Sequence, residues 1–174
     1  WDLNSDGIPS EKPSNVIPDA AFGPPKGGKY ENLSVVKQRV LPVKSIVALL
    51  GEPQQALERL LSTSIAPEGS GKKAVIIGAK KRQGEEIYEF EYVLDLPNGR
   101  RIHTWSNAGL KQPKTRGPPS YADTSFDRYG RKGNEEADNA PELITMTLVT
   151  PEDESLTSKK IAMITRISQG FKLS

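Results

Sequence analysis

The chain has 174 residues, a formal net charge of +2 and no cysteine. This length suits one ordinary domain, and the absence of cysteine excludes disulfides, thiolate metal sites and a cysteine nucleophile. A hydrophobic content of 35%, beside 14 prolines and 15 glycines, predicts a modest core with much irregular chain. Acidic and basic residues nearly cancel, so the net charge says little about a nucleic-acid partner. No apolar run approaches the ~20 residues of a membrane helix, so we expect a protein that is soluble or peripheral to a membrane.

Residues 1–29 are rich in proline and glycine and show no sustained periodicity. They predict an extended N-terminal arm before a domain of residues 30–174. We expect the arm to be ordered only where it lies on another surface, with Trp1 and Phe22 as anchors. Because the chain begins with Trp1 and shows no signal-like segment, we also expect that any targeting sequence has been removed.

The beginning of the arm contains part of a calcium motif. Asp2, Asn4 and Asp6, followed by Gly7, match the opening of a loop in which alternating oxygens wrap a hard cation. Position twelve of such a loop would be Pro13 instead of a bidentate glutamate, and no helix is predicted on either side. An exposed, turn-rich terminus is therefore the preferred interpretation, with calcium binding as the alternative.

The first half of the domain alternates strands and helices. Residues 32–40 have the β-branched content of a strand, and residues 44–50 predict a short helix. Pro53 suits the first turn of a second helix, because its missing N–H costs nothing there. This helix has about three turns and one buried face, formed by Ala56, Leu57, Leu60 and Leu61. Residues 66–71 end it, and residues 74–80 predict a short apolar strand.

The most regular pattern in the chain lies between residues 86 and 105, where aromatic residues alternate with mostly acidic ones. One face carries Tyr88, Phe90 and Tyr92, and the other carries Ile87, Glu89 and Glu91. This period of two predicts a strand with its aromatic face on a core. Asn98 and Gly99 tolerate positive φ and predict a type I′ hairpin turn, after which a second strand returns through Trp105.

Residues 107–141 predict a long loop inserted in the domain, since they are polar and rich in lysine, glycine and proline. The basic residues are Lys111, Lys114, Arg116, Arg128, Arg131 and Lys132, and the aromatic ones are Tyr121, Phe126 and Tyr129. Such residues bind nucleic acid by phosphate contact and stacking, or dock on an acidic protein surface. Nearby acids at 135–138 argue against a pure polyanion site. A solvated loop is the simplest alternative.

The end of the chain predicts one more strand and helix. Residues 142–150 resume the strand pattern, and Glu152 and the two acids after it suit the positive end of a helix that runs to about Ser168. The predicted buried stripe is Leu156, Ile161, Ile164 and Ile167. Gly170 is suited to the C-terminal stop. The order strand, helix, strand, hairpin, strand, helix predicts an α+β fold, with a mainly antiparallel sheet covered by helices.

His103 is the only histidine in the chain, and its position in the middle of a strand favours a structural role. A small enzyme in which His103 acts as general base with one carboxylate is the alternative. No nucleophile motif accompanies it, so we do not expect an enzyme. The carboxylates at residues 85, 86, 89 and 91 are expected to form a solvated face, with an acidic ledge for a basic partner as the alternative.

Several segments, in this order along the chain, resemble the PsbP family, the extrinsic lumenal subunits and PsbP-domain proteins of oxygenic photosynthesis. They are Asn32–Val36, Leu50–Pro53, Ala66–Gly71, Tyr88–Tyr92, Leu143–Pro151 and Gly170–Leu173. The resemblance covers residues 30–106 and 141–174. Of the family's opening strand pair only Trp1 remains, so we expect the first hairpin to be absent or truncated. The insertion is longer than the family's usual turn, and the arm does not match the segments used for ion retention.

The resemblance implies a non-catalytic protein of the chloroplast thylakoid lumen. It would need no cofactor or metal and would bind no nucleic acid. Its partner would be a membrane protein complex of the photosynthetic apparatus, most directly photosystem II on its oxygen-evolving side, docked peripherally and not inserted. A PsbP-domain assembly or accessory factor of photosystem I or of the chloroplast NADH-dehydrogenase-like complex is the alternative. The expected partner contacts are Trp1, Arg116, Tyr121, Phe126, Arg128, Tyr129 and Arg131.

Overall fold

The computed structural model describes residues 2–3, 18–23, 31–113, 140–152 and 156–173. Its strands are β1 (Asp2–Leu3), β2 (Ala20–Gly23), β3 (Asn32–Arg39), β4 (Lys73–Lys81), β5 (Ile87–Asp95), β6 (Arg101–Lys111) and β7 (Glu142–Pro151). Its helices are α1 (Ile46–Leu50), α2 (Pro53–Leu60, followed by the π-helical turn Leu61–Ile65) and α3 (Ser158–Gly170). The α+β class agrees with the prediction from the sequence, and so does the order of elements from β3 onward, whereas β1 and β2 were not predicted.

Within the described ranges the seven strands form one antiparallel sheet, in the order β1-β2-β3-β7-β6-β5-β4. The N-terminal segment supplies the first two strands of this sheet, and β1 and β2 make a short antiparallel pair. Residues 4–17, between these two strands, lie outside the described ranges, so the expected truncation of the first hairpin stays a prediction. In the interior of the sheet, β6 continues through Lys111, so the first residues of the predicted insertion are strand instead of loop.

The β5–β6 hairpin is confirmed, but its turn differs from the prediction. The Leu96 N–H donates to the Arg100 carbonyl (2.8 Å), and the Gly99 N–H donates to the Leu96 carbonyl (3.0 Å). Three residues therefore connect the strands, instead of the two of a type I′ turn. Gly99 has a φ of 78°, and a glycine in this left-handed region is what a three-residue hairpin connection requires.

Helices α1 and α2 cover the aromatic face of β5. Successive strand residues point to opposite faces, so the three aromatic residues of β5 point together and pack on Ile46, Leu57 and Leu61. Ser45 begins α1 by accepting a hydrogen bond from the Ala48 N–H (3.2 Å), and Pro53 stands at the start of α2, as predicted. Leu57 is fully buried and Leu61 is 6% exposed, which places this side of α2 against the sheet, but the predicted stripe was wrong at Leu60, which is 38% exposed.

Helix α3 covers the opposite face, around Trp105, Leu148 and Ile164. The helix starts later than predicted, because the Thr157 side chain caps it by accepting a hydrogen bond from the Lys160 N–H. Glu152 therefore does not lie in the first turn; its carboxylate pairs with Arg101 at 2.7 Å instead. The predicted buried stripe was wrong at Ile161, which is 39% exposed, whereas Gly170 ends the helix as expected.

Candidate functional site

Most of the residues predicted to contact a partner or a metal lie outside the described part of the chain. They are Trp1, Asn4, Asp6, Arg116, Tyr121, Phe126, Arg128, Tyr129 and Arg131. Of the predicted calcium ligands only Asp2 is described, as a strand residue of β1 opposite Gly23. In the described ranges there is no group of three or more histidine, cysteine or acidic side chains that could hold a metal ion. These contacts therefore stay predictions.

A cleft of about 250 Å³, with both polar and apolar side chains, lies between α3 and strands β4 to β6. We call it the α3 cleft, and the side chains that matter in it are Lys80, Glu89, Glu91, Trp105, Thr165 and Ser168. Because Glu89 and Glu91 alternate with the aromatic residues of β5, they point to the α3 face of the sheet. The period of two that buries the aromatic residues thus also places both carboxylates beside the helix.

Arg82 joins the sheet to the end of α3. Its Nε donates to Glu89 Oε1 (2.8 Å), and its two terminal nitrogens donate to the Phe171 carbonyl (2.7 Å) and the Ser168 carbonyl (3.1 Å). The Asn107 amide donates to the same Ser168 carbonyl at 3.0 Å. The last carbonyls of a helix lack partners within the helix and favour a cation. Arg82 and Asn107 therefore fix the position of α3 on the sheet.

Glu89 is an ionised group held between two cations. Burial alone would raise the pKa of this carboxyl group, but hydrogen bonds from Arg82 and Lys80 and their positive charges outweigh it and hold the pKa below its ordinary value of 4.5. The side chain is only 19% exposed. A carboxylate whose charge is stabilised in this way is a poor proton acceptor near neutral pH, so Glu89 is suited to a structural ion pair.

His103 has the carboxylate partner that the enzyme hypothesis required. Its Nε2 lies 2.8 Å from Glu91 Oε1, and its ring stacks on Trp105 with centroids 3.8 Å apart and planes 2° from parallel. The residue is only 8% exposed, and its Nδ1 is buried without a hydrogen-bond partner. Thr150, directly opposite in β7, has a hydroxyl that is likewise buried without a partner. No hydroxyl nucleophile in the described ranges is bonded to the imidazole.

The predicted solvated acidic face is present only in part: the side chains of Glu85 and Glu91 are 43% and 37% exposed and that of Glu89 is 19% exposed, and each carboxylate has a partner. Glu86 Oε2 accepts a hydrogen bond from the Ile46 N–H, at the start of α1, and Glu86 Oε1 accepts one from Lys81. Burial opposes the charge of Glu86, but these bonds lower its pKa from the ordinary value. Glu85 pairs with Arg82 at 3.3 Å. The glutamates hold elements together and do not form an open ledge.

Sequence reasoning missed Arg82 as the central residue of this face. Arg82 follows β4 in a turn rich in lysine and glutamate, where a basic residue normally extends into water. Its carbonyl partners are 86 and 89 residues away in the sequence, and no local pattern links them. The one usable signal was the charge alternation of β5, which predicted that its glutamates share a face.

Comparisons with known proteins identify the relatives of the chain. A sequence model of the PsbP family matches residues 13–115. CyanoP of Thermosynechococcus vestitus is 38% identical over 90 residues, which are 48% of this chain and 49% of that protein, so the chain spans about half the length of that relative. The solution structure of cyanobacterial PsbP (CyanoP) from Synechocystis sp. PCC 6803 matches 96% of this chain and 79% of its own. The TM-score is 0.57 at 19% identity, so that likeness shows the fold alone.

Proposed function

The chain belongs to the PsbP family, and on this premise we propose that it is a non-catalytic accessory protein that docks on photosystem II from the thylakoid lumen. The match to the family over residues 13–115 carries the proposal, since it spans β2 to β6. The membrane complex and the lumenal location come from the family resemblance. No helix in the described ranges is long and apolar enough to cross a membrane, which is compatible with peripheral docking.

The geometry of the α3 cleft supports a role without catalysis. Glu89 is held as an ion between Arg82 and Lys80, and His103 is buried against Trp105 with Glu91 as its partner. General acid–base chemistry needs a group that can reach the substrate and exchange a proton with it. Glu89 instead helps to hold α3 on the sheet through Arg82, and His103 is bonded within the sheet. They make a rigid support for the segments that contact the partner.

The docking contacts we propose are the aromatic and basic residues predicted from the sequence. Arg116, Arg128 and Arg131 steer the protein toward an acidic surface, and a few aromatic side chains anchor it there. Docking held by charge weakens as salt is added, because exposed charges are screened over about 8 Å at physiological ionic strength. Salt sensitivity of the complex is therefore the property to measure.

The test is co-migration of the tagged chain with solubilised thylakoid complexes at low and at high salt. We expect co-migration with photosystem II that is lost at high salt. A triple charge reversal, Arg116→Glu, Arg128→Glu and Arg131→Glu, should weaken binding and its salt dependence. The matched control reverses Lys37, Lys44 and Lys159, which are exposed and lie outside the predicted contact segment, and changes the net charge equally.

Each outcome of this experiment bears on a different part of the proposal. Equal loss in both triple variants would mean that net charge alone matters, and the docking map would be wrong. Co-migration with photosystem I or with the NADH-dehydrogenase-like complex would keep the family and move the role to that complex. Absence of association at either salt concentration would indicate a free lumenal factor and overturn docking.

A further inference from the structure

Strand β4 forms one end of the sheet, and in the described part of the chain no strand pairs with its outer side. Its central residues, 74–79, carry no charge. Two of them point large apolar side chains into solvent: Val75 is 48% exposed and Ile77 is 51% exposed. A β-branched, uncharged edge of this length is what an added strand would recognise.

The outer side of an edge strand offers backbone groups as well as side chains. In an antiparallel pair, the hydrogen-bonding groups of alternate residues point away from the neighbouring strand. The backbone N–H and C=O groups of one set of alternate residues in β4 pair with β5, from Lys73 opposite Asp95 to Lys81 opposite Tyr88. The groups of the other residues point outward. The register shifts once, between Ile76 and Gly78, so an incoming strand would meet two short stretches separated by a bulge.

Lysines stand at both ends of this apolar stretch. Lys80 pairs with Glu89 at 3.2 Å and Lys81 with Glu86 at 2.5 Å, and the Lys80 side chain is still 74% exposed. At the opposite end, Lys72 and Lys73 are exposed. The edge is therefore apolar in the middle and flanked by lysines at each end, of which Lys80 and Lys81 already have glutamate partners.

This charge pattern decides which strand can pair there. In an antiparallel pair of two β4 strands, the lysines at one end of the first would lie beside those at the other end of the second. Like charges opposite each other across strands are destabilising, and edge lysines are a common device against self-pairing. A second copy of the chain is thus disfavoured. A segment with acidic residues on both sides of an apolar centre would place its carboxylates beside the same lysines.

We propose that the outer edge of β4 is a docking site for an extended, acid-flanked segment of a partner protein, which adds to the sheet as an antiparallel or parallel strand. Backbone hydrogen bonds supply the affinity in this mode of recognition, and side chains on alternate positions supply the specificity. Val75 and Ile77 are the apolar contacts, and Lys72 and Lys73 are the charged ones. The proposal does not depend on which membrane complex is the partner.

The test uses the full chain and two synthetic nine-residue peptides with the same valine- and threonine-rich centre. One has two glutamates at each end, and the other has two lysines at each end. Amide hydrogen exchange and chemical-shift changes locate the binding. We expect the acidic peptide to protect β4 amides that point away from β5, and the lysine peptide to leave them unchanged. Slow amide hydrogen exchange in β5 and β6 shows that the chain, and each of the variants described next, is folded.

Two double variants separate charge from apolar contact. Lys72→Glu with Lys73→Glu should weaken binding of the acidic peptide roughly tenfold or more and improve binding of the lysine peptide. Val75→Thr with Ile77→Thr keeps β-branched residues and should weaken both peptides. The control, Lys44→Glu with Lys159→Glu, should change neither. Because no membrane complex is present in this assay, its result is independent of the proposed function.

Three results would overturn the proposal. The first is protection of β4 that does not differ between the two peptides. The second is binding that maps to the α3 cleft or elsewhere, with β4 unchanged. The third is a dimer of the free chain in sedimentation that is abolished by the Val75 and Ile77 changes, since a second copy would then occupy the edge.

Discussion

The two faces of the sheet are covered by helices that are held in different ways. On the face of α1 and α2, the contacts are apolar and come from three β5 aromatic residues and a row of aliphatic side chains. On the face of α3, the apolar cluster is small, and Arg82, Asn107 and Glu89 form directional bonds around it. The hydrophobic effect is non-directional, whereas a hydrogen bond requires its donor and its acceptor to lie at defined positions.

This difference predicts that one face determines the stability of the domain and the other determines the position of its last helix. The α1 and α2 face supplies most of the buried apolar surface, so it should determine how stable the domain is. The α3 face depends on a few atoms, so it should determine where the last helix lies and how readily it detaches. Regions with few buried apolar contacts open more easily than the core. Three substitutions test this contrast, from the largest expected effect to the smallest.

The largest effect is expected at Leu57, which is fully buried on α2. Leu57→Ala removes apolar contacts and leaves a cavity, and such changes cost about 2–5 kcal/mol. Urea unfolding followed by circular dichroism measures the loss. The control is Leu60→Ala on the same helix, where the side chain is 38% exposed and the loss should be smaller. Equal losses at the two positions would show that the apolar face does not dominate stability.

A smaller but more local effect is expected at Arg82. Arg82→Met keeps the aliphatic stem and removes the donor to the Phe171 carbonyl, while Glu89 keeps only Lys80 and the Ser168 carbonyl keeps the Asn107 amide. Buried groups that lose a partner cost about 1–3 kcal/mol. Hydrogen exchange should speed up in α3 before it does in β5 and β6. Lys80→Met is the control, because Lys80 reaches only Glu89 from an exposed position; a general loss of protection across the sheet would contradict the contrast between the faces.

The smallest effect is expected in the pH dependence of stability. The pKa of Glu89 is lower in the folded chain than its ordinary value of 4.5, so the unfolded chain takes up this proton first. The contribution of Glu89 is therefore present above about pH 4.5 and is lost as the pH falls through the lower folded value. Glu89→Gln should therefore reduce the fall in the free energy of unfolding between pH 6 and pH 3, measured by urea titration. In a chain that already carries Arg82→Met, Glu89→Gln should have a smaller effect on the pH dependence of stability. An undiminished effect there would exclude Arg82 as the main partner that stabilises the Glu89 carboxylate.

The contacts on these two faces were predictable to different extents. The three aromatic residues of β5 were assigned correctly to a core, because alternation along a strand is a local property. The glutamates between them were assigned to solvent, although they lie under α3 or beside Arg82. Whether a carboxylate is hydrated or paired with a cation depends on which residues pack over it. Here those residues are distant from the glutamates in the sequence. The predicted docking residues of the insertion stay predictions because they lie outside the described residues.

The sequence by itself determined the elements from β3 onward and the class of fold. Local geometry suffices for the strands, for Pro53 at a helix start and for Gly170 at a helix end, since each depends on neighbours within a few residues. Only the tertiary structure decided the order of the strands in the sheet, the capture of the α3 end by Arg82 and the position of β4 at an edge. These features join residues that are distant in sequence, and the composition of a strand does not reveal which of its sides is left without a neighbour.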